Sequence, residues 1–599
     1  MPTDGGRVPS NAELADVMQT IADYLALDGQ STYRIIAYEK AAALFRDHPV
    51  SVADMALRGE LRRLPEVGEA IETKVLEYVA TGDIAFLARL RERYPEGLLQ
   101  VMRLPGMGPK KTRFVWESAG VADIRDLESA AREGRLRGLP GMGEKTEGNI
   151  LRAIETWTAA AAGPDRGRRL RAVVEPQAAR LVAVLRELPQ VVAADFAGSL
   201  RRCRATVRDI DLVAASAEPA PVMAAFASLP ELARVEAQGE TKLAGATYTG
   251  LGVDLRIVVP ASYGDLLQHF TGSAEHNVAL RAHAQRRGFK ISEYHVEHLE
   301  SGRLIPCATE AEVYGLVGLS YIPPELREDQ GEIEAAEEGS LPDLVDLPQV
   351  RGDLHVHSDW TDGRATLEQM ALAARDRGLE YLCFCDHSQS LAMTGGLGPE
   401  RVMAQQEAIR ALDDQIGGIR LLSGIEVDIL ADGRLDLPDD VLARLDFVTA
   451  SIHSGFGQSQ AQIMDRLVGA MRNPFVRAIA HPTGRLIGRR EPYEIDVEVL
   501  AQVAAETGTF LEINGSADRL DLAAPAARRA AALGARIVVC SDSHATGDFE
   551  NLRWGVGEAR RGWLTSRDVA NTGPWESMRE KSGRSSAKEW ASAGPGRVS

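Results

Sequence analysis

The sequence predicts a multidomain α and α/β protein, with a helical region at the front, a mixed α/β region in the middle and a C-terminal α/β barrel of parallel strands. Three observations predict it. The 599 residues exceed what one hydrophobic core organises, and at roughly 100 to 200 residues per domain they imply about three to five domains. A short phrase, Leu-Pro-x-x-Gly, recurs three times before residue 160. Beyond Gly352, short apolar runs alternate with Ala-rich helical stretches, the pattern of parallel strands joined by helices. Hydrophobic content of 45% and charged content of 26% are ordinary for folded domains and exclude a largely disordered chain.

The front region reads as short helices separated by Gly-containing turns, divided into domains at 1–90 and 91–160. The phrases are LPEVGEAI from Leu64, LPGMGPKK from Leu104 and LPGMGEKT from Leu139. Each sets a tight turn before an amphipathic helix, where glycine lets backbone N–H groups point together at an anion. One such turn is as readily a plain helix connector; three argue for a repeated grip on phosphate. Gly106 and Gly108 with Lys110 and Lys111 behind them, and Gly141 and Gly143 with Lys145, resemble the helix-hairpin-helix motifs of DNA-repair proteins. In the first copy Glu66 replaces the leading glycine, which makes it the weaker match.

A run rich in Ala and Gly from Trp157 to Arg169 ends the helical region. Strand-like segments follow at Ala194 to Gly198, Ile210 to Ala214 and Val253 to Val259. The formal charge of −18 says little about nucleic acid, because the charges are segregated: ten arginines against three acids between Arg166 and Arg208, nine acids and one arginine between Glu325 and Asp346. Within the basic stretch, FAGSLRRCRATVRDIDLV carries Gly198, Ser199 and two arginines, then Asp209 and Asp211 one residue apart. On a strand, residues i and i+2 share a face, so both carboxylates can serve one metal cluster, and Asp254 in GVDLRIV supplies a third. Adjacent like charges are costly unless cations neutralise them, which makes divalent metal the natural partner.

With these motifs the chain to about residue 320 resembles the X family of DNA polymerases. The resemblance implies a nucleotidyltransferase palm at 161–260 and a thumb at 261–322. It implies that Asp209, Asp211 and Asp254 bind two Mg2+ (or Mn2+) ions, Asp254 activating the primer 3′-hydroxyl. Gly198, Ser199 and Arg202 would hold the nucleotide phosphates. In FTGSAEHNVALRAHAQRRGF, Phe270 and Gly272 would meet the incoming sugar and base, while Asn277 and Arg281 fall at nucleotide and minor-groove DNA contacts. His269 stands where the family usually has tyrosine, which opens the question of sugar selectivity. Lys74, in AIETKVLEY, matches the Schiff-base lysine of members that remove a sugar phosphate, although Glu66 and Ala70 depart from that pattern.

The acidic, proline-flanked stretch 323–350 reads as an exposed linker, and a new domain at 351–570 follows. Its strand-like runs are Tyr381 to Cys385, Leu421 to Ile425, Phe447 to Ile452, Phe510 to Ile513 and Ile537 to Cys540. Every histidine beyond residue 300 lies in one of the phrases DLHVHSDWTDG, CDHS, SIHS, AHPTG and SDSH, and GIEVDI adds a carboxylate. Imidazole mixed with carboxylate suits zinc, manganese or iron, and nine donors are too many for one tetrahedral ion. This segment resembles the PHP domain, a metal-dependent phosphoesterase fold seen as a distorted barrel. The resemblance implies up to three Mn2+, Zn2+ or Fe ions held by His355, His357, Asp362, His387, Glu426, His453, His481, Asp542 and His544. Residues 571–599, dense in Gly, Ser and charge, read as a disordered tail.

Together the two resemblances imply a polymerase that fills short gaps, with a barrel that trims 3′ ends. Its expected partners are gapped or nicked DNA and deoxynucleoside triphosphates. A phosphatase of a small phosphomonoester and a non-catalytic DNA-end scaffold are the rival readings. No run of about 18 apolar residues appears, the N-terminus lacks a signal-peptide layout, and the five cysteines are scattered, so a reduced, cytoplasmic monomer without membrane partners is expected.

Overall fold

A computed structural model of the chain describes residues 8–48, 50–104, 106–162 and 167–576. The chain divides into two compact units. The first comprises the described residues to Arg169 with Pro176–Phe196 and Arg208–Pro260; the second comprises Leu170–Glu175, Ala197–Val207 and the described residues from Ala261 onward.

The helical front of the first unit holds two small cores. Helices Asn11–Leu27, Thr32–Asp47, Val52–Leu57, Glu69–Thr81 and Ala85–Arg93 close over Met18, Ile21, Tyr24, Phe45, Val75 and Leu87. Ser10 and Glu13 form a capping box on the first helix, and buried Asn11 donates to the carbonyls of His48 and Val50 at 2.9 and 2.7 Å. Helices Pro109–Ala119, Ile124–Arg132 and Glu144–Ala162 surround the second core of Met107, Val115, Leu127, Met142 and Ile154. The division falls within helix Gly97–Met102, whose Leu98 and Leu99 belong to the first core and Val101 to the second.

All three repeated phrases fold to the same turn. The amides of Val67, Met107 and Met142 each donate to the carbonyl of the leucine three residues earlier, and all three side chains are buried. The residue before each has positive φ: 67° at Glu66, 81° at Gly106 and 77° at Gly141. Glycine adopts that conformation freely, whereas another residue pays about 1 to 2 kcal/mol. The first copy is therefore as regular in geometry as the others despite its sequence, and the Glu66 carboxylate pairs with Lys40 at 2.8 Å.

The rest of this unit is a five-stranded sheet of β1 (Ala193–Phe196), β2 (Asp209–Ala215), β3 (Leu232–Gln238), β4 (Lys242–Thr247) and β5 (Gly252–Val258) in the order β1-β2-β5-β4-β3. Strands β2 and β5 are parallel and the other pairs antiparallel. The sequence reading lacks β3 and β4: β3 is almost wholly exposed after Leu232 and shows no apolar run, while β4, KLAGAT, is mostly buried but built largely of small residues.

In the second unit, helices Ala274–Arg286 and Glu310–Leu316 and a small antiparallel sheet share one core with Leu326, Ile333, Ala336 and Leu344, and helix Tyr263–Thr271 precedes them. The stretch 323–350 is thus packed, which corrects its reading as an exposed linker. Three of its acids are partnered away from solvent: Glu332 reaches His276 at 2.6 Å, Glu325 reaches Arg560 at 2.8 Å and Glu328 reaches Arg561 at 3.0 Å.

Seven strands then follow in chain order: β6 (Gly352–Val356), β7 (Tyr381–Phe384), β8 (Arg420–Asp428), β9 (Phe447–Ser451), β10 (Val476–Ile479), β11 (Phe510–Asn514) and β12 (Ile537–Cys540). Each pairs in parallel with the next. A parallel bridge between Val356 and Ser543 returns the end of the sheet to its beginning and nearly closes the barrel. Leu354, Tyr381, Cys383, Leu422, Phe447, Phe510 and Val538 form one buried cluster, and a larger one joins the other strand faces to the crossover helices. The expected tail starts too early: buried Asn571 donates to the carbonyls of Gly352 and Val539 at 2.8 and 2.7 Å, accepts from the Val539 amide at 3.0 Å, and Trp575 packs beside the first cluster. Residues 577–599 lie outside the described residues. Among the described residues, no helix is long and apolar enough to cross a membrane.

Candidate active sites

The C-terminal ends of the barrel strands bring the nine expected donors together. His355 and His357 stand at the end of β6, His387 after β7, Glu426 near the end of β8, His453 after β9, His481 after β10, and Asp542 and His544 after β12. Asp362 arrives on the loop after β6. Three sets have donor atoms within 4.8 Å of one another: His357, Asp362, His387 and His544; His355, His357 and Asp542; and His387, Glu426 and His453. His481 belongs to none of these sets, but its Nε2 lies 2.9 Å from Glu426 Oε1. His481 and Asp542 hold φ of 28° and 54°, left-handed conformations unusual for these residue types.

The spacing and chemistry fit divalent cations. Two donors each about 2.0 to 2.1 Å from a tetrahedral ion lie roughly 3.4 Å apart. Here His357 Nε2 is 3.2 Å from Asp542 Oδ1, His355 Nε2 is 3.6 Å from Glu426 Oε2, and both His387 Nε2 and His544 Nε2 are 3.5 Å from Asp362 Oδ2. Buried His355 Nε2, both nitrogens of His357, His481 Nδ1 and Glu426 Oε2 have no hydrogen-bond partner, a costly arrangement unless a cation takes their lone pairs. His387 Nδ1 also lies 2.7 Å from Glu426 Oε2 but is not aligned as a hydrogen bond.

A surrounding layer orients these donors. The Glu512 carboxylate accepts from His355 Nδ1 at 2.7 Å, which leaves Nε2 as the ring's free lone pair, and its other oxygen accepts from the His481 amide at 2.7 Å. Asp428 does the same for His453 Nδ1 at 2.7 Å. Asp353 accepts from the amides of His355 and Ser541, and Asp386 accepts from Ser358 and Gln405. The charges are strongly coupled. Burial pushes Glu426 upward, but His453, His387 and His355 hold it well below the usual carboxylate range. Burial lowers His387, yet Glu426 and Asp362 outweigh it and raise the ring to about 10. His357 is pushed down to about 3 by burial and by His544 and His387.

The second set of carboxylates lies on the sheet of the first unit. Asp211 and Asp254 are direct partners across the parallel pair β2 and β5, and Asp209 faces Gly252 two residues earlier. All three are half-buried on one face, while Ile210, Leu212, Val253 and Leu255 are buried on the other. At Gly252 an added Cβ would sit 3.6 Å from Asp209 Cβ, so glycine leaves room beside that carboxylate. Burial raises Asp254, Arg256 opposes it, and Asp209 and Glu236 raise it further. These three carboxylates are not among the sets whose donor atoms lie within 4.8 Å of one another.

Gly198 is buried with φ of 61°, and Ser199 is half-buried. Both lie with Arg202 in the segment Ala197–Val207 of the second unit. Arg202 Nε donates to Glu328 at 3.1 Å and one terminal nitrogen to the Thr271 carbonyl. Gly272 is buried with φ of 67°, and an added Cβ would lie 3.1 Å from that arginine nitrogen. Phe270 is half-buried beside His269. Asn277 bonds the His269 carbonyl at 2.8 Å and Gln268 at 2.9 Å, and exposed Arg281 reaches His269 Nδ1 at 3.1 Å. Gly106, Gly108, Lys110, Gly141 and Gly143 are exposed, with open space at each glycine; the side chain of Lys145 lies outside the described residues. Lys74 is not simply solvated: its ammonium lies 5.7 and 5.3 Å from the centres of the Tyr38 and Phe86 rings.

Family models match as a helix-hairpin-helix domain over residues 9–84, a SAM-like helix-hairpin-helix tandem over 98–156, the DNA polymerase beta thumb over 266–328 and the PHP domain over 353–516. The DNA polymerase/3′-5′ exonuclease PolX of Bacillus subtilis (strain 168) is 38% identical over 565 residues, covering 93% of this chain and 97% of that protein. The chain belongs to the PolX family. Probable phosphatases match only part of it: that of Thermoanaerobacter sp. (strain X514) is 29% identical and covers 37% of this chain and 89% of its own length. That of Syntrophotalea carbinolica is 36% identical over 27% of this chain and 65% of its own length.

The thumb match ends at Glu328, inside the stretch that the sequence reads as a linker. Sequence reasoning for this PolX family member also passes over the orienting acids. Two of them were in view: Asp428 follows Glu426 by two residues in GIEVDI, and Asp386 precedes His387 in CDHS. Glu512, in FLEIN, has only an acid within an apolar run as its signal.

Proposed function

We propose that this chain is a DNA-directed DNA polymerase that fills short gaps during repair, and that its barrel shortens or cleans 3′ ends by metal-dependent hydrolysis. The observation that carries the reading is the match along nearly the whole length of a protein named for both activities, on a chain that has both carboxylate centres. The phosphatase reading is favoured by relatives that match only part of the chain.

In this reading Asp209, Asp211 and Asp254 hold Mg2+ or Mn2+ on the exposed face of β2 and β5, and Arg202 with Ser199 takes the triphosphate of a deoxynucleotide. The nine barrel donors hold up to three Mn2+, Zn2+ or Fe ions. When bound, such cations neutralise the charge on the reacting phosphate and lower the pKa of the attacking oxygen. The chain's own residues prepare for this: Glu512 and Asp428 each accept a hydrogen bond from a histidine Nδ1–H and so leave Nε2 to face the site. The exposed turns at Gly106 and Gly141 offer backbone N–H groups to the phosphates of gapped or nicked DNA.

Extension of a primer across a one-nucleotide gap, with magnesium and with manganese, tests the reading beside 3′-end degradation of a single strand. Asp209→Ala is expected to abolish addition and spare degradation, and His355→Ala the reverse. Loss of both activities from either change argues against separate centres. Borohydride trapping on a 5′-deoxyribose phosphate end tests whether Lys74 also forms a Schiff base.

A further inference from the structure

The last long helix of the barrel, Asn551–Arg561, meets acids outside the strands through three arginines. Arg553 lies 3.9 Å from Glu175, Arg560 2.8 Å from Glu325 and Arg561 3.0 Å from Glu328. Arg561 does more than dock, because the same terminal nitrogen also donates to the backbone carbonyl of Arg202 at 2.8 Å. Glu328 Oε1 is shared between Arg561 and Arg202 Nε, and Arg204 lies 3.6 Å from Oε2. The side chains of Arg202, Glu328 and Arg561 are only 13%, 14% and 10% exposed. Burial pushes Glu328 upward, but Arg561 and Arg202 hold it below the usual range, so it stays ionised.

This network fixes one arginine from three directions. A guanidinium carries five N–H donors. Arg202 spends donors on Glu328 and on the Thr271 carbonyl, which sets the plane of the group and leaves the others unspent by these bonds. Arg202, Arg204 and Arg561 converge on Glu328, and Arg561 Nε lies 3.9 Å from one further carboxylate, Glu558, so three cations meet two acids and the cluster keeps an excess of one positive charge for an anionic phosphate. Without Arg561, Glu328 would keep Arg202 and Arg204 but lose its third arginine, and the Arg202 carbonyl would lose its donor, which weakens the anchor of Arg202 and removes one positive charge.

We propose that Arg561, contributed by the barrel, is a positioning residue for nucleotide binding: through Glu328 and the Arg202 carbonyl it holds the arginine that takes the triphosphate. The inference rests on the reading above that Arg202 contacts the nucleotide phosphates. It makes the hydrolase barrel part of what sets the affinity of the polymerase for deoxynucleoside triphosphates.

Steady-state gap filling with the full chain and a single deoxynucleotide tests it. A charge-assisted hydrogen bond contributes enough that Arg561→Ala is expected to raise KM about tenfold, with kcat little changed. Arg561→Lys, which keeps the charge at Glu328, is expected to recover part of that loss. Arg553→Ala loosens the same helix without touching Glu328 and is expected to keep the parent KM. Degradation of single-stranded 3′ ends, unchanged in all three, reports that the barrel has folded. An unchanged KM in Arg561→Ala, or an equal rise in Arg553→Ala, overturns the proposal. Failure of the parent chain to extend the primer overturns the polymerase reading instead, before any variant is compared.

Discussion

Replacing Glu512 by glutamine is the sharpest probe of the barrel centre, because it changes one buried carboxylate oxygen to an NH2 with almost no change of shape. Glu512 is buried on β11, accepting from His355 Nδ1 at 2.7 Å, from the His481 amide at 2.7 Å and from Asn514 at 3.2 Å. A glutamine can satisfy only one side. If its NH2 meets His355, that ring must move its proton to Nε2, the atom aimed at Glu426 and Asp542. If the NH2 meets His481 instead, two donors face each other in a buried site. Either way one hydrogen bond to a charged group is lost, worth about 1.5 to 3 kcal/mol. That range corresponds to roughly a 10- to 150-fold loss, close to the 10- to 100-fold typical of residues that orient metal ligands. The assay is 3′-end degradation at fixed manganese, with bound metal counted by mass spectrometry and gap filling as the internal control. Degradation within twofold of the parent at full metal content would refute the orienting role.

Other consequences concern stability. Glu310, shared by Arg201 and buried Arg327 at 2.7 and 2.6 Å, is pushed up by burial but held down to about 2 by the two arginines, against an ordinary value of 4.5. A depressed carboxylate stabilises the fold above its unfolded pKa, so about 3 kcal/mol is present above pH 4.5 and fades as pH falls toward 2. The stability gap between the parent and Glu310→Gln in urea titrations is therefore expected to narrow from pH 5 to pH 3; a constant gap argues against this. Asn571→Ala removes three buried hydrogen bonds and is expected to destabilise the barrel by about 3 kcal/mol, read as a lower melting temperature, as is ending the chain at residue 570. Glu66→Gly relieves a positive φ and is expected to raise the melting temperature, whereas Gly106→Ala, at φ 81°, is expected to lower it. The opposite order would mean that the Lys40 pair, not the turn, governs this site.

What the sequence made legible is the chemistry carried at strand ends, and what it hid is the identity of partners. His355, Glu426 and Asp542 stand out because imidazole and carboxylate interrupt apolar runs, and parallel strands deliver every interruption to the same end of a barrel. Glu512 has the same local signal, but its meaning depends on His355, 157 residues away, and no periodicity encodes that pairing. The acidic stretch after Glu325 fails for the same reason. Nine acids within 22 residues have the composition of a solvated linker, and only the fold supplies Arg560, Arg561 and His276 as counter-charges to Glu325, Glu328 and Glu332. A buried charge is tolerated when its partner is also buried, so a charge run is ambiguous until the partner's position is known. Arg202 shows why the distinction matters for function. From sequence it is one arginine of a phrase that resembles a phosphate-binding motif; in the fold its Nε bonds Glu328 and its carbonyl accepts from Arg561, residues 126 and 359 positions further along the chain. Recognition of a site from its motif therefore leaves open what holds the motif in place, and here that support comes from the far end of the chain.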